Sequence, residues 1–205
     1  MIRLYDYWRS SASYRVRIAL GLAGLEWETV SVDLVKGDQN APAHLALNPQ
    51  GLVPILEIDG LRFTQSLAIV EYLDETRRLG LLPEAPADRA HVRALAYAVA
   101  MDIHPVCNTR VVKQAVEKSL GNLATEEWMK ANIAPGLAAL ERLVDDGRFS
   151  WGDRISLADI CLVPQLYNAR RWNVDLARMP KLRRIDTHLS ALPAFAAAHP
   201  DNHRP

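Results

Sequence analysis

Apolar and polar positions change period repeatedly within the first eighty residues. Residues 2–7 read as a short strand. Val16, Ala19, Leu20 and Ala23 then recur at helical spacing across residues 11–23, with Gly24 placed to end that helix. Residues 27–34 return to alternation, with Val30, Val32 and Leu34 on one side, which completes a βαβ unit. A weak helix over residues 42–47 is followed by the turn signal Asn48-Pro49-Gln50-Gly51. Residues 53–58 predict a strand, Asp59-Gly60 a hairpin turn and residues 61–64 its returning partner. Ser66 is placed to cap a helix carrying Leu67, Ile69, Val70 and Leu73.

From about Asp88 the texture changes to long Ala- and Leu-rich helical runs with no credible strand. Helices are predicted over residues 89–104, 126–144, 157–171 and 180–192. Pro83 and Pro86 mark a linker before them, and Ser156-Leu157-Ala158-Asp159 has the spacing of a capping box. The expected organisation is an α/β domain over residues 1–80, a linker over 81–87 and an all-α domain over 88–205, with the tail after His199 frayed.

At 205 residues, with 49% apolar and 23% charged positions, the chain falls in the globular range and disorder is excluded. The 24 basic side chains balance the 24 acidic ones, which argues against a general affinity for nucleic acid or anionic membranes. No stretch approaches the ~20 consecutive apolar residues that span a bilayer, and the start has no signal core, so a cytoplasmic location is expected. Cys107 and Cys161 belong to no C-x-x-C or Cys/His metal spacing. Two reduced thiols, no disulfide and no metal are expected.

Three segments could carry chemistry. Arg9-Ser10-Ser11 places two hydroxyls where the first strand meets the first helix, and unpaired N–H groups and the positive helix end favour an anion there. A plain N-cap is the simpler reading of either serine. Pro54 at the start of a strand removes a ladder donor. A cis Val53-Pro54 bond would expose the Val53 backbone as an edge able to pair with an extended, peptide-like ligand, although a trans proline is the commoner case. Gln65-Ser66 offers a third polar point at a helix start, again open to a simple capping role.

These segments, together with Asn48-Pro49-Gln50-Gly51-Leu52-Val53-Pro54-Ile55-Leu56, Asp102-Ile103-His104-Pro105 and Ser156-Leu157-Ala158-Asp159-Ile160-Cys161-Leu162-Val163-Pro164-Gln165, resemble the zeta class of the glutathione transferase family over almost the whole chain. The resemblance implies a thioredoxin-like N-terminal domain, a helical C-terminal domain, a homodimer, and glutathione held in the cleft between domains. By position, Ser10, beside Ser11, becomes the hydroxyl that hydrogen-bonds the glutathione sulfur. Val53 with Pro54 meets the cysteinyl unit, Gln65 and Ser66 the γ-glutamyl end, and Gln39 the glycyl end. Asp102, His104, Asn108 and Arg110 line the second domain's side.

The implied activity is cis-trans isomerisation of a small maleyl diketo acid, maleylacetoacetate or maleylpyruvate, through thiolate addition, bond rotation and elimination. A free thiol near pKa 8.5 is mostly protonated at neutral pH, and a hydroxyl donor at a helix N-terminus favours its ionised form. Arg9, Arg110 and Arg171 suit bidentate recognition of a small unsaturated dicarboxylate, with Arg9 beside the reacting sulfur. On a straight helix, however, Arg110 points about 120° away from His104 unless Pro105 bends the chain. His104 is given a binding role only. Tyr7 and Trp8 read as the end of a strand, and Trp151 and Trp172 as core. Ala12 stands where some zeta-class members carry a cysteine, which speaks against redox cycling but leaves isomerisation intact. The competing readings are conjugation or dehalogenation of α-halo acids, and a non-catalytic dimerisation module of the same fold.

Overall fold

The first helix begins where Ser10, in extended conformation, takes the Ser13 N–H on its side chain. The computed structural model describes residues 1–205. They form two units, Met1–Gly80 with Leu192–Pro205, and Leu81–Ala191.

The first unit is built on a four-stranded mixed sheet of β1 (Arg3–Asp6), β2 (Glu28–Ser31), β3 (Ile55–Ile58) and β4 (Leu61–Thr64), in the order β2-β1-β3-β4. β1 runs parallel to β2 with Arg3 opposite Glu28, and antiparallel to β3 with Tyr5 opposite Ile55. The parallel pair requires a crossover, which α1 (Ser11–Leu22) supplies. The hairpin turn has positive φ at both Asp59 and Gly60, as a type I′ turn demands. α2 (Pro42–Leu47) precedes the connection into β3, and α3 (Ser66–Arg77) packs beside α1. This is the thioredoxin-like arrangement expected from the sequence.

α1 is buried along nearly its whole length, including the charged residues Arg15 and Arg17. Arg17 is accommodated because each bond it makes lands on a buried acceptor. It reaches Asp6 Oδ2 at 2.5 Å, the Trp8 carbonyl at 3.0 Å and the Ala198 carbonyl at 3.1 Å. The last of these explains why the end of the chain belongs with the first unit and not with the helices that precede it. Phe195, on the short α10 (Pro193–Ala197), is fully buried, and Tyr14 Oη donates to its carbonyl. The tail after His199 is ordered: a 3-10 turn spans Pro200–His203, and His203 and Asn202 bond the carbonyls of Ala197 and Ala196.

The second unit is entirely helical. α4 (Pro86–Tyr97) continues through a π-helical segment, Ala98–Ile103, into the single turn α5 (His104–Val106). It is followed by α6 (Thr109–Lys118), α7 (Thr125–Leu143), α8 (Leu157–Arg171) and α9 (Pro180–Ser190). The stretch expected to be linker is partly structured. Pro86 opens α4, where a proline costs no hydrogen bond, and Leu81 and Leu82 are buried with the Leu81 carbonyl taking the Leu157 N–H. At α8 the capping box forms as the sequence indicates, with Ser156 donating through N–H and Oγ to Asp159 Oδ2, both at 2.8 Å. Asp159 is fully buried, and burial raises its pKa despite those bonds. α7 approaches the π-helical segment so closely that a Cβ on Gly136 would meet Ile103 side-chain carbons at 2.5 Å. No helix is long and apolar enough to cross a membrane.

Candidate active site

In the first unit, the candidate residues gather at the ends of β1, β3 and their connecting loops. Ser10 is both the N-cap and a hydroxyl with capacity left over. Its Oγ accepts from Ser13 N at 3.2 Å, so its own hydrogen remains available to donate. The first turn of α1 contains no acidic residue, and its positive end is not neutralised from within. Ser11, the next residue, is buried.

Arg9 projects beside that helix start. Its Nη2 donates to Tyr7 Oη at 2.9 Å, and its guanidinium carbon lies 4.8 Å from the Trp8 ring centroid and 5.8 Å from that of Tyr7. Its Nε is buried without a protein partner. The aromatic residues assigned to the end of a strand therefore hold the arginine nearest Ser10. A sequence reading sees three adjacent side chains here but not that two of them form a seat for the third.

The Val53-Pro54 bond is cis. β3 begins at Ile55, so Val53 stands outside the ladder with its backbone groups uncommitted. The residue before it is anchored twice: the Leu52 carbonyl accepts from Asn48 Nδ2 at 3.0 Å and lies 3.1 Å from His44 Nε2. His44 and Asn48 are both buried, and neither was among the expected site residues. Their only sequence signal was the turn motif that includes Asn48. Gln39 sits in a 3-10 turn over residues Asp38–Asn40, and its Oε1 is buried without a partner. Its carbonyl lies 3.2 Å from where a Cβ on Gly51 would stand.

Gln65, and not Ser66, occupies the N-cap position of α3, and its side chain makes no cap bond. Its φ of 68° and ψ of 111° are unusual for a residue with a side chain, a conformation that costs about 1–3 kcal/mol and clusters at ligand sites. Its Nε2 donates to Gln50 Oε1 at 2.9 Å, joining α3 to the loop that carries Val53. Ser66 is the first helical residue, and its buried Oγ accepts from Arg15 Nη1 at 3.2 Å. Arg15 thus ties the interior of α1 to the start of α3.

The second unit carries the remaining candidates on different elements. Asp102 is exposed on the π-helical segment, and His104 is half-buried at the start of α5. The chain breaks at Cys107, and Asn108 caps α6 by accepting the Arg110 N–H at 3.0 Å. Arg110 therefore sits on a separate helix from His104, and the 120° offset expected of one straight helix does not apply. Arg171 lies at the end of α8, its Nη1 3.3 Å from Asn168 Oδ1 and its guanidinium 5.6 Å from the Trp172 ring. Trp151 and Trp172 are half-buried, not core, and Trp151 stacks on His91.

Neither protein thiol is suited to nucleophilic work. Burial pushes the Cys107 thiol up to about 11, and Cys161 is fully buried in α8. No group of three or more His, Cys, Asp or Glu side chains converges where it could hold a metal ion. A surface depression of about 630 Å³ runs along α4 past Arg89, Arg93 and Tyr97 and includes none of the candidate residues. It is open and one-sided, and the polar groups described above are the better guide to chemistry.

Known proteins share this architecture. The family model for the glutathione S-transferase N-terminal domain matches residues 1–75, and that for the C-terminal domain matches residues 110–198. The maleylacetoacetate isomerase of Rhizobium meliloti (strain 1021) is 59% identical over 207 residues, covering 98% of this chain and 97% of the relative. The holo structure of a maleyl pyruvate isomerase, a bacterial zeta-class glutathione S-transferase, matches with a TM-score of 0.91 at 41% identity over 97% of this chain and 96% of that one. A maleylacetoacetate isomerase from Methylobacterium extorquens AM1, solved with malonate and glutathione bound, matches with a TM-score of 0.92 at 43% identity over 99% and 98% of the two chains.

Proposed function

The chain belongs to the zeta class of the glutathione S-transferase family, and from that premise we propose that it is a glutathione-dependent cis-trans isomerase of a small maleyl diketo acid, maleylacetoacetate or maleylpyruvate. The observation that carries the reading is Ser10: a hydroxyl already accepting a helix N–H, at an unneutralised helix start, with its hydrogen left to donate to an anion. Glutathione is the cofactor, and the orphaned polar groups of the first unit fit a tripeptide. The uncommitted Val53 backbone suits its cysteinyl unit, Gln65 and Ser66 its γ-glutamyl end, and the unpartnered Gln39 Oε1 its glycyl N–H.

Bound glutathione supplies the thiolate whose addition to the maleyl double bond permits rotation and whose departure leaves the fumaryl form. Ser10 donates to that sulfur and, with the helix end, favours its charged state; each unit of pKa lowering is about 1.4 kcal/mol of differential stabilisation. Arg9, whose Nε has no protein partner, offers its guanidinium to a substrate carboxylate and to the negative charge that develops beside the reacting carbon. Arg110 and Arg171, with Asp102, His104 and Asn108, are the residues of the second unit that the family resemblance points to for carboxylate and glutathione binding. The malonate in the Methylobacterium relative is a small dicarboxylate of the same charge class. The protein acts as a cytoplasmic homodimer.

Following the loss of each maleyl substrate with and without glutathione tests the reading. Glutathione-dependent conversion with the tripeptide recovered unchanged is expected. A stable glutathione adduct as sole product would instead make the protein a transferase.

A further inference from the structure

The arginine beside Ser10 shares its aromatic neighbour with a residue far along the chain. Arg9 makes one hydrogen bond to protein, from Nη2 to the Tyr7 hydroxyl, and otherwise rests near the Trp8 ring at 4.8 Å. That indole has a second cation on it: the Arg204 guanidinium carbon lies 5.0 Å from the same ring centroid. Two guanidiniums on one ring repel each other. Here the repulsion is relieved because Arg204 is paired with Asp201, through Nε at 3.0 Å and Nη2 at 2.5 Å.

The segment that carries Arg204 is itself fixed. His203 bonds the Ala197 carbonyl at 3.0 Å and stacks on Trp27 with ring centroids 6.4 Å apart, and Asn202 bonds the Ala196 carbonyl at 2.9 Å. Arg17 then closes the circuit from below. One buried guanidinium holds the Trp8 carbonyl and the Ala198 carbonyl together, so the backbone of residue 8 and the start of the terminal segment are set by the same side chain. Arg17 fixes where Trp8 leaves the chain, and Arg204 fixes the ring.

We propose that Arg204 is a positioning residue for Arg9, holding the Trp8 indole against which the Arg9 guanidinium rests. The functional half of this statement rests on Arg9 binding a substrate carboxylate, as proposed above; the structural half does not. Arg204 itself touches no reacting atom. Removing it frees the Trp8 ring to turn, and Arg9 then samples orientations in which its fork no longer meets a planar carboxylate. The loss falls on the substrate carboxylate and on the developing charge that Arg9 meets, while Ser10, Val53 and Gln65 keep their places.

The test uses the full chain with Arg204→Ala and the conservative Arg204→Lys, which retains a cation for the ring. Arg204→Ala is expected to lower kcat/KM for the maleyl substrate about three- to tenfold, through a raised KM and a lowered kcat, with glutathione affinity unchanged. Arg204→Lys should recover most of that loss. Equal weakening of glutathione and substrate binding, or no change in kcat/KM, overturns the proposal. A second measurement is independent of activity: the Arg9 Nε–Hε NMR resonance, assigned through Arg9→Lys, carries a ring-current shift from Trp8. It should move toward the value of an exposed arginine in Arg204→Ala and return in Arg204→Lys. If it stays in place the positioning role is wrong, whatever the protein isomerises. If it moves while no maleyl substrate is turned over by the unaltered enzyme, the functional reading fails and the positioning role stands.

Discussion

Asp6 and Arg17 form a buried ion pair, Oδ2 to Nη1 at 2.5 Å, with both side chains essentially inaccessible to water. The pair joins β1 to α1, and through its other nitrogens Arg17 also holds Trp8 and Ala198. Removing one member leaves an uncompensated charge in the interior, at a cost of about 3–5 kcal/mol. Asp6→Asn and Arg17→Met are each expected to destabilise by that order in urea unfolding, and the terminal segment should lose amide-exchange protection in Arg17→Met. A change below about 1 kcal/mol in both would mean the pair is not confined as described.

Gly136 and Ile103 make a second, sharper prediction. A Cβ at 136 falls 2.5 Å from two Ile103 carbons, so Gly136→Ala should cost about 1–3 kcal/mol despite the ~1 kcal/mol that alanine gains over glycine in a helix. Ile103→Val alone removes a buried methyl and should destabilise by about 0.5–1.5 kcal/mol. In the Gly136→Ala background the same change relieves the clash and should be neutral or stabilising. Additive effects in the double-mutant cycle would contradict the close approach.

Burial pushes the Cys107 thiol up to about 11, so at pH 8 about 0.1% of it is thiolate. Alkylation by iodoacetamide at that pH, followed by mass spectrometry, should run on the order of a hundredfold slower than for a free cysteine. Cys107→Ser should keep full glutathione-dependent turnover. Loss of activity in that variant would make a protein thiol part of the reaction.

His203 has its pKa lowered, first by burial and then by the nearby positive charge of Arg17. Below its ordinary value near 6.5 the unfolded chain binds a proton that the folded protein resists, so stability is full above that pH and falls as pH drops toward the folded-state value. Unfolding midpoints between pH 7.5 and about 5 should therefore decline more steeply for the native sequence than for His203→Gln, which keeps a donor for the Ala197 carbonyl. Parallel declines would remove His203 from the pH response.

The fold was legible because its signals were local. Asp59-Gly60 demanded a tight hairpin, the period switches marked strand, helix and strand, and Ser156 with Asp159 announced the start of α8. What escaped the sequence were relationships set by tertiary packing. Arg15 and Arg17 are buried on α1, and periodicity cannot see the Ser66 hydroxyl, the carboxylate eleven residues earlier or the carbonyl near the chain end that receive them. The same blindness assigned residues 192–205 to the helical domain and called their tail frayed. The spacing predicts a continuous helix to His104, whereas residues Ala98–Ile103 are π-helical and the helix ends at Cys107, features that apolar periodicity does not encode. Among the candidate residues, Ser10, Val53-Pro54 and Gln65 stand out by motif position. The seat that Tyr7 and Trp8 make for Arg9, and the anchoring of Leu52 by His44 and Asn48, were not.

The central claim concerns the charge state of a sulfur atom that the protein does not own. Titrating the thiolate absorbance of glutathione bound to the native enzyme and to Ser10→Ala, at saturating tripeptide, measures it directly. The account predicts a midpoint at least about one pH unit below that of free glutathione for the native enzyme, and a return toward the free value in Ser10→Ala with affinity little changed. Identical midpoints in the two proteins would contradict it.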